Sequence, residues 1–373
     1  MSAPAVPRSG PANALTDVGG LSVGHHSASG EGYLTGTTVI LAPGGGMVAG
    51  VDVRGGGPGT RETDILSPLA AVEMVHAIVL TGGSAYGLAA ASGVADALGD
   101  KGIGLQVGPE PDHVVPIVPA AVLFDLGRGG DFRARPDPSF GRGAVAAARS
   151  DPVEGGRTRD SSLLGCVGAG TGAVCGGLKG AVGTASVVLH GGIVVASLVV
   201  VNAVGSPFDP ATGELYGSRF LIPGDAPALG MPTPQDQDRL RTALANRPSG
   251  PLSADAAELP RASYSMRNTT IGVIATDAAL TKAQCAKLAG VGHDGLARAL
   301  NPVHTLFDGD TLFAVSTATA PAPDMFGFQE ILTVAADVVT RALVRGLLAA
   351  RGVSTPGGAW SSYPELAPSA LGH

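Results

Sequence analysis

Apolar, β-branched blocks set off by glycines run along most of the chain and predict where its strands lie. Thr35 to Leu41 reads as a short strand, and Ile78 to Thr81 as the end of a second one before Gly82-Gly83-Ser84-Ala85-Tyr86-Gly87. The Ala-rich stretch Leu88 to Leu98 fits a helix packed closely on a sheet. Ala185 to His190 and Ile193 to Val201, joined by Gly191-Gly192, predict a hairpin. From about Pro223 to Ser265 the pattern turns to Pro, Asp, Gln and Ser, with one short helix near Gln237 to Asn246, as a surface excursion or linker would. It gives way abruptly to Asn268-Thr269-Thr270-Ile271-Gly272-Val273-Ile274-Ala275-Thr276, which reads as a buried strand. Thr281-Lys282-Ala283-Gln284 is a capping box that opens a helix to about Leu300. Thr311 to Thr317 is a further strand, and Gln329 to Ala350 has helical periodicity. Strands interleaved with helices predict the α/β class without fixing a sheet order.

Composition narrows the picture. The 373 residues, 45% of them hydrophobic, are enough for one large or two ordinary domains around a sizeable core. With 57 glycines, 15% charged and 4% aromatic residues but no Gly-X-Y period, a turn-dense fold with close backbone approaches is expected. A net charge of -7 and no long basic run leave no electrostatic footprint for nucleic acid or an anionic membrane, so a small molecule or short peptide is the expected partner. Cys166, Cys175 and Cys285 cannot all pair and form no C-x-x-C arrangement, so reduced thiols are expected. Met1 to Gly20 has neither a basic nor an apolar leader region, and a cytoplasmic location is the expectation.

Four places could carry chemistry. A cut between Asn268 and Thr269 would give Thr269 a hydroxyl and an α-amine in one residue, and that amine, with a reference pKa of about 7.7–8.0, can serve as general base. The same Asn-Thr-Thr is also compatible with a plain strand opening. Asp308-Gly309-Asp310 is the second candidate: in an extended segment its two carboxylates project to one side, able to orient an amine, hold a proton or bind a metal, while a turn is the plainer alternative. No His/Asp cluster has metal-ligand spacing, and His304 has no obvious partner, so neither a metal nor a cofactor is expected. Lys179, alone among glycines and valines, must reach solvent or find a partner. Asn202, at the end of the hairpin, could donate to an oxyanion. Gly82 to Gly87 is not a nucleophile elbow, because Tyr86 stands where the last glycine belongs, and Gly168 to Gly172 is not a dinucleotide fingerprint.

Lys179, Asn268, Thr269, Asp308 and Asp310 sit within blocks that resemble the L-aminopeptidase/D-esterase and β-peptidyl aminopeptidase family, whose relatives include nylon-oligomer hydrolases. The blocks are Leu15 to Gly20 with Val23-Gly24-His25, Val53-Arg54-Gly55-Gly56, Leu80 to Leu88, Val115-Pro116 to Phe124-Asp125, Leu178-Lys179-Gly180 to Ser186, Asn268 to Val273, His293 to Arg298, and Pro302 through Asp308-Gly309-Asp310 to Ala314. Together they span roughly Leu15 to Ala350. The resemblance implies a single catalytic domain with the α/β/β/α sandwich of N-terminal-nucleophile hydrolases. It further implies self-cleavage into chains 1–268 and 269–373 that remain associated, and a homo-oligomer. It assigns Thr269 as nucleophile, Asn202 as oxyanion donor, Lys179 as an active-site cation, Asp308 and Asp310 as acids beside the nucleophile, and Phe124 and Tyr86 to substrate binding. Peptide, amide or ester hydrolysis is the implied activity, with ω-amino-acid oligomers, acyl transfer and an unprocessed structural relative as alternatives. Where some members carry Ser, this chain has Thr269. Where some carry an oxyanion-assisting Tyr, it has Phe124, which cannot donate a hydrogen bond.

Overall fold

A computed structural model describes residues 8–150, 163–246 and 268–372. Two five-stranded mixed sheets form its centre. The first runs in the order Ser22–Gly30, Tyr33–Leu41, Ala77–Thr81, Ala120–Val122, Thr60–Arg61, and the second Val182–Val188, Val194–Val200, Ile271–Ala278, Thr311–Ala320, Val48–Val53. Each sheet contains one parallel pair, Ala77–Thr81 with Ala120–Val122 and Ile271–Ala278 with Thr311–Ala320, and is otherwise antiparallel.

Side-chain alternation along the strands divides the apolar residues into layers. Ile78 and Leu80 meet Ile271, Val273, Phe313 and Val315 between the sheets. Their neighbours Ala77 and Val79 face outward onto Ala91, Val94 and Ala144, from the helices Ala89–Gly99 and Pro138–Ala146. On the other side, Ile274, Leu312 and Ala314 pack against Leu288, Leu296, Val339 and Leu343, from the helices Lys282–Ala297 and Met325–Ala349. The result is a four-layer α/β/β/α sandwich. Small residues bring the long C-terminal helix close to its sheet. A Cβ on Gly183 would lie 1.9 Å from the Ala342 carbonyl oxygen and 2.6 Å from the Gly346 nitrogen, so the helix could not keep its place.

The strands and helices read from the sequence recur with adjusted ends. The hairpin is longer, since its first strand begins at Val182, and its five-residue loop, Leu189 to Ile193, is closed by Leu189 N–H donating to the Ile193 carbonyl at 2.8 Å. The helix expected near Gln237 to Asn246 runs Pro234–Ala245, opened earlier by Thr233 as cap and Pro234 in its first turn. The Thr281/Gln284 capping box forms as read. Of the proposed excursion or linker, residues 247–265 lie outside the described residues. Cys166, Cys175 and Cys285 are free thiols, and among the described residues no helix is long and apolar enough to cross a membrane.

Candidate active site

Strand register assembles the centre. Val200 pairs with Ile271, so the antiparallel register carried two residues further sets Asn202 opposite Thr269. Ile271 pairs with Thr311 in parallel, and a separate bridge pairs Asn268 with Asp308, so the Asp308–Asp310 turn flanks Thr269 on its other side. Asn202, Asn268, Thr269, Asp308 and Asp310 are all buried.

Around the Asn268–Thr269 bond the contacts are short. Gly309 N–H donates to the Asn268 carbonyl at 3.2 Å. Glycine is required there, because a Cβ on residue 309 would come within 2.7 Å of both Thr269 Oγ1 and the Gly57 carbonyl oxygen. Asn202 Nδ2 faces the carbonyl of Thr269 at 3.4 Å, not that of Asn268. Its Oδ1 accepts the Val174 N–H at 3.0 Å and Arg128 Nη1 at 2.7 Å.

The two carboxylates divide their work. Asp310 Oδ1 accepts the Thr270 N–H at 2.8 Å, and its Oδ2 accepts the His304 N–H at 3.1 Å and lies 2.8 Å from His304 Nδ1. His304, which has no obvious partner in the sequence, therefore has one in Asp310. Asp308 Oδ2 accepts both the backbone N–H and the hydroxyl of Thr305. Burial, reinforced by the nearby Asp310 charge, pushes the Asp308 carboxyl above the usual carboxylate range.

Lys179 is tied to backbone. Its Nζ donates to the carbonyls of Gly170, Ala173 and Gly180 at 2.9, 3.0 and 2.7 Å. Those bonds pin the turn that carries Gly172 and Val174, the backbone partners of Arg128 and Asn202. Burial lowers the lysine pKa to about 8. Phe124 is half-buried in the segment after the Ala120–Val122 strand and brings no polar atom. Tyr86 is 54% exposed, with the Arg135 guanidinium 3.7 Å above its ring, and the hydrogen bonds of the centre do not reach it.

Two members of the centre escape a reading of the sequence, Arg128 and Asp125. Both lie on the segment after Ala120–Val122, so the first sheet contributes to a site otherwise built on the second. Arg128 donates to Gly172, Asn202 and Asn268, and Asp125 Oδ1 accepts the Gly83 N–H at 2.7 Å. A lone charge among small residues is the signal of Arg128, the same one that marks Lys179: it sits in Gly127-Arg128-Gly129-Gly130. Among the described residues, no group of three or more His, Cys, Asp or Glu is placed to hold a metal ion.

Comparison with known proteins agrees with this architecture. The sequence profile of peptidase family S58 matches residues 13–360. The chain is 41% identical over 379 residues to an uncharacterized aminopeptidase of Mycobacterium tuberculosis, covering 96% of this chain and 99% of that one. It is 31% identical over 318 residues to the 6-aminohexanoate-oligomer endohydrolase of Kocuria sp., covering 82% and 76%. Among solved structures, the Burkholderia sp. beta-aminopeptidase superposes with a TM-score of 0.70 at 23% identity, covering 99% of this chain and 96% of that one. The L-aminopeptidase D-Ala-esterase/amidase of Ochrobactrum anthropi, a variant of the Ntn hydrolase fold, superposes with a TM-score of 0.69 at 20% identity, covering 99% and 97%. The sandwich is thus an Ntn hydrolase fold.

Proposed function

The chain belongs to peptidase family S58 and is a hydrolase acting on peptide bonds, and from there we propose that it is a self-processing aminopeptidase with Thr269 as its nucleophile. The observation that carries this reading is the Asn268 carbonyl, which accepts the Gly309 N–H at 3.2 Å while the next residue's hydroxyl packs against the same glycine. A donor already in place on a carbonyl stabilises the oxyanion that attack creates.

Thr269 Oγ1 attacks the Asn268 carbonyl carbon, the C–N bond breaks, and Asn268 is left as an ester on Oγ1 with the α-amine of Thr269 free. Water then hydrolyses the ester, giving chains 1–268 and 269–373. In the processed enzyme the amine takes the proton from Oγ1 as a substrate carbonyl is attacked, and the acyl-enzyme is hydrolysed in a second step. Asn202 Nδ2 supplies a donor for the substrate oxyanion. Asp308, bridged to Asn268 and buried beside Thr269, receives the new ammonium. Thr269 is only 6% exposed in the intact chain, so external substrate has little access until the bond is cut. The two chains stay together in a cytoplasmic homo-oligomer.

Intact-mass analysis of fresh protein tests this directly. Processing divides the 36.7 kDa chain into pieces of roughly 26 and 10 kDa, and Thr269→Ala stays whole and inactive. Equal processing in that variant sinks the reading. The 6-aminohexanoate-oligomer endohydrolase relatives favour a second substrate class, linear amides of ω-amino acids. Parallel assays on amino-acid anilides and a 6-aminohexanoate oligomer separate the two.

A further inference from the structure

Arg128 is a half-buried cation that the proposed chemistry does not use, yet it touches both sides of it. Its Nη1 donates to the Gly172 carbonyl at 2.6 Å and to Asn202 Oδ1 at 2.7 Å, and its Nη2 donates to Asn268 Oδ1 at 2.7 Å. Burial lowers its pKa to about 10, opposed by the Asp125 charge, so it remains cationic at neutral pH.

The amide of Asn202 could in principle face either way, and its partners decide between the two. Two donors, the Val174 N–H and Arg128 Nη1, converge on one end of the side chain, so that end must be the oxygen. The NH2 end is thereby turned towards Thr269. Without the guanidinium this orientation would rest on the Val174 N–H and the long 3.4 Å bond to the Thr269 carbonyl. The second arm reaches Asn268, the residue on the acyl side of the bond to be cut. A forked, planar cation can hold two such acceptors at once, whereas an ammonium is a single point of charge.

We infer that Arg128 is a positioning residue for the oxyanion site: it fixes Asn202 with its donor towards Thr269 and grips Asn268 while the chain cuts itself. It makes and breaks no bond. This rests on the reading of Thr269 as nucleophile and adds to it how the donor is aimed and why the first sheet belongs to the site.

The test uses the full-length chain with Arg128→Met, Arg128→Lys, Asn268→Ala and Thr269→Ala, following processing on denaturing gels and by intact mass. On processed material, kcat and KM are measured with an amino-acid p-nitroanilide. Arg128→Met is expected to process at least roughly tenfold more slowly and, once processed, to lose roughly tenfold or more in kcat with KM little changed. Guanidinium chloride at a non-denaturing concentration restores part of that kcat, and sodium chloride at the same concentration does not. Arg128→Lys falls between wild type and Arg128→Met, and it carries the comparison if the methionine variant does not fold. Asn268→Ala slows processing, because the second arm has nothing to hold.

Wild-type processing and kcat in Arg128→Met, with Thr269→Ala uncut, overturns this inference alone. So does a loss of activity matched by a loss of folded protein in both Arg128 variants, with no rescue by guanidinium. A Thr269→Ala chain that still cuts itself overturns the nucleophile reading instead, whatever the Arg128 variants do.

Discussion

The backbone N–H of Thr270 donates to Asp310 Oδ1 at 2.8 Å, so a carboxylate from one strand opening holds the residue immediately after the proposed nucleophile on its neighbour. The other oxygen of Asp310 ties down His304, whose own backbone is in the left-handed region at φ +57°. Asp310→Ala leaves the buried Thr270 N–H without its acceptor, a cost of about 1–3 kcal/mol, releases the half-buried His304 N–H, and frees Thr269 to shift. The variant should process on the order of tenfold or more slowly and melt at a lower temperature. A gel time course beside a thermal melt checks both, and unaltered processing would show that Asp310 does not locate the nucleophile.

Gly309 makes a sharper demand, because its missing side chain is space that Thr269 and the Gly57 carbonyl already occupy. Backbone on one side cannot yield as a flexible side chain would. Gly309→Ala should therefore destabilise the chain by roughly 1–3 kcal/mol and stop processing, since displacing residue 309 also withdraws its N–H from the Asn268 carbonyl. An alanine variant that is cut at the wild-type rate would remove that N–H from the mechanism.

Asp125 offers a dependence on pH whose sign can be worked out. Burial pushes its carboxyl up to about 6, against the pull of the Gly83 N–H and of the Arg128 and Lys179 charges. A group that binds its proton more tightly when folded contributes stability that is full below the usual carboxylate value near 4 and is lost as pH rises through 6. The loss is at most on the order of 3 kcal/mol. Asp125→Asn cannot ionise. In a Thr269→Ala background, where cutting does not intervene, it should melt above its parent at pH 7.5, and the difference should shrink towards pH 4.5. Titrating groups that do not feel the Asp125 charge contribute equally to both proteins and cancel. A difference that does not change with pH would show that Asp125 is not held in this state.

How much of this was legible in the sequence depends on whether a feature is local. The strand from Ile271, the Thr281 cap and the long C-terminal helix each announce themselves through periodicity or capping within a dozen residues. The meeting of Asn202, Thr269 and Asp308 is a matter of register between strands far apart in the chain, which no local pattern contains, and only the family resemblance pointed to it. The short strands Thr60–Arg61 and Ala120–Val122 are below the length at which alternation can be seen. Arg128 follows from neither source. It serves through hydrogen bonds to residues 74 and 140 positions away, and in sequence it is one more charge in a glycine-rich turn.

Lys179 poses the last question, whether it acts on the nucleophile or on the scaffold beneath it. An ammonium has three donors, and all three are engaged by the carbonyls of Gly170, Ala173 and Gly180, so reaching Thr269 would require breaking at least one of these bonds. What the lysine holds is the turn whose Val174 N–H and Gly172 carbonyl orient Asn202 and Arg128. Lys179→Met should thus lose stability, by at least about 3 kcal/mol as charged hydrogen bonds to buried carbonyls disappear, and lose processing along with it. The comparison is between the melting temperatures of Thr269→Ala with and without Lys179→Met, set beside the cutting rate of Lys179→Met alone. Direct action on Thr269 makes the opposite claim, an uncut chain whose melting temperature has not moved, because a charge needed only for chemistry can be removed from a turn that holds itself.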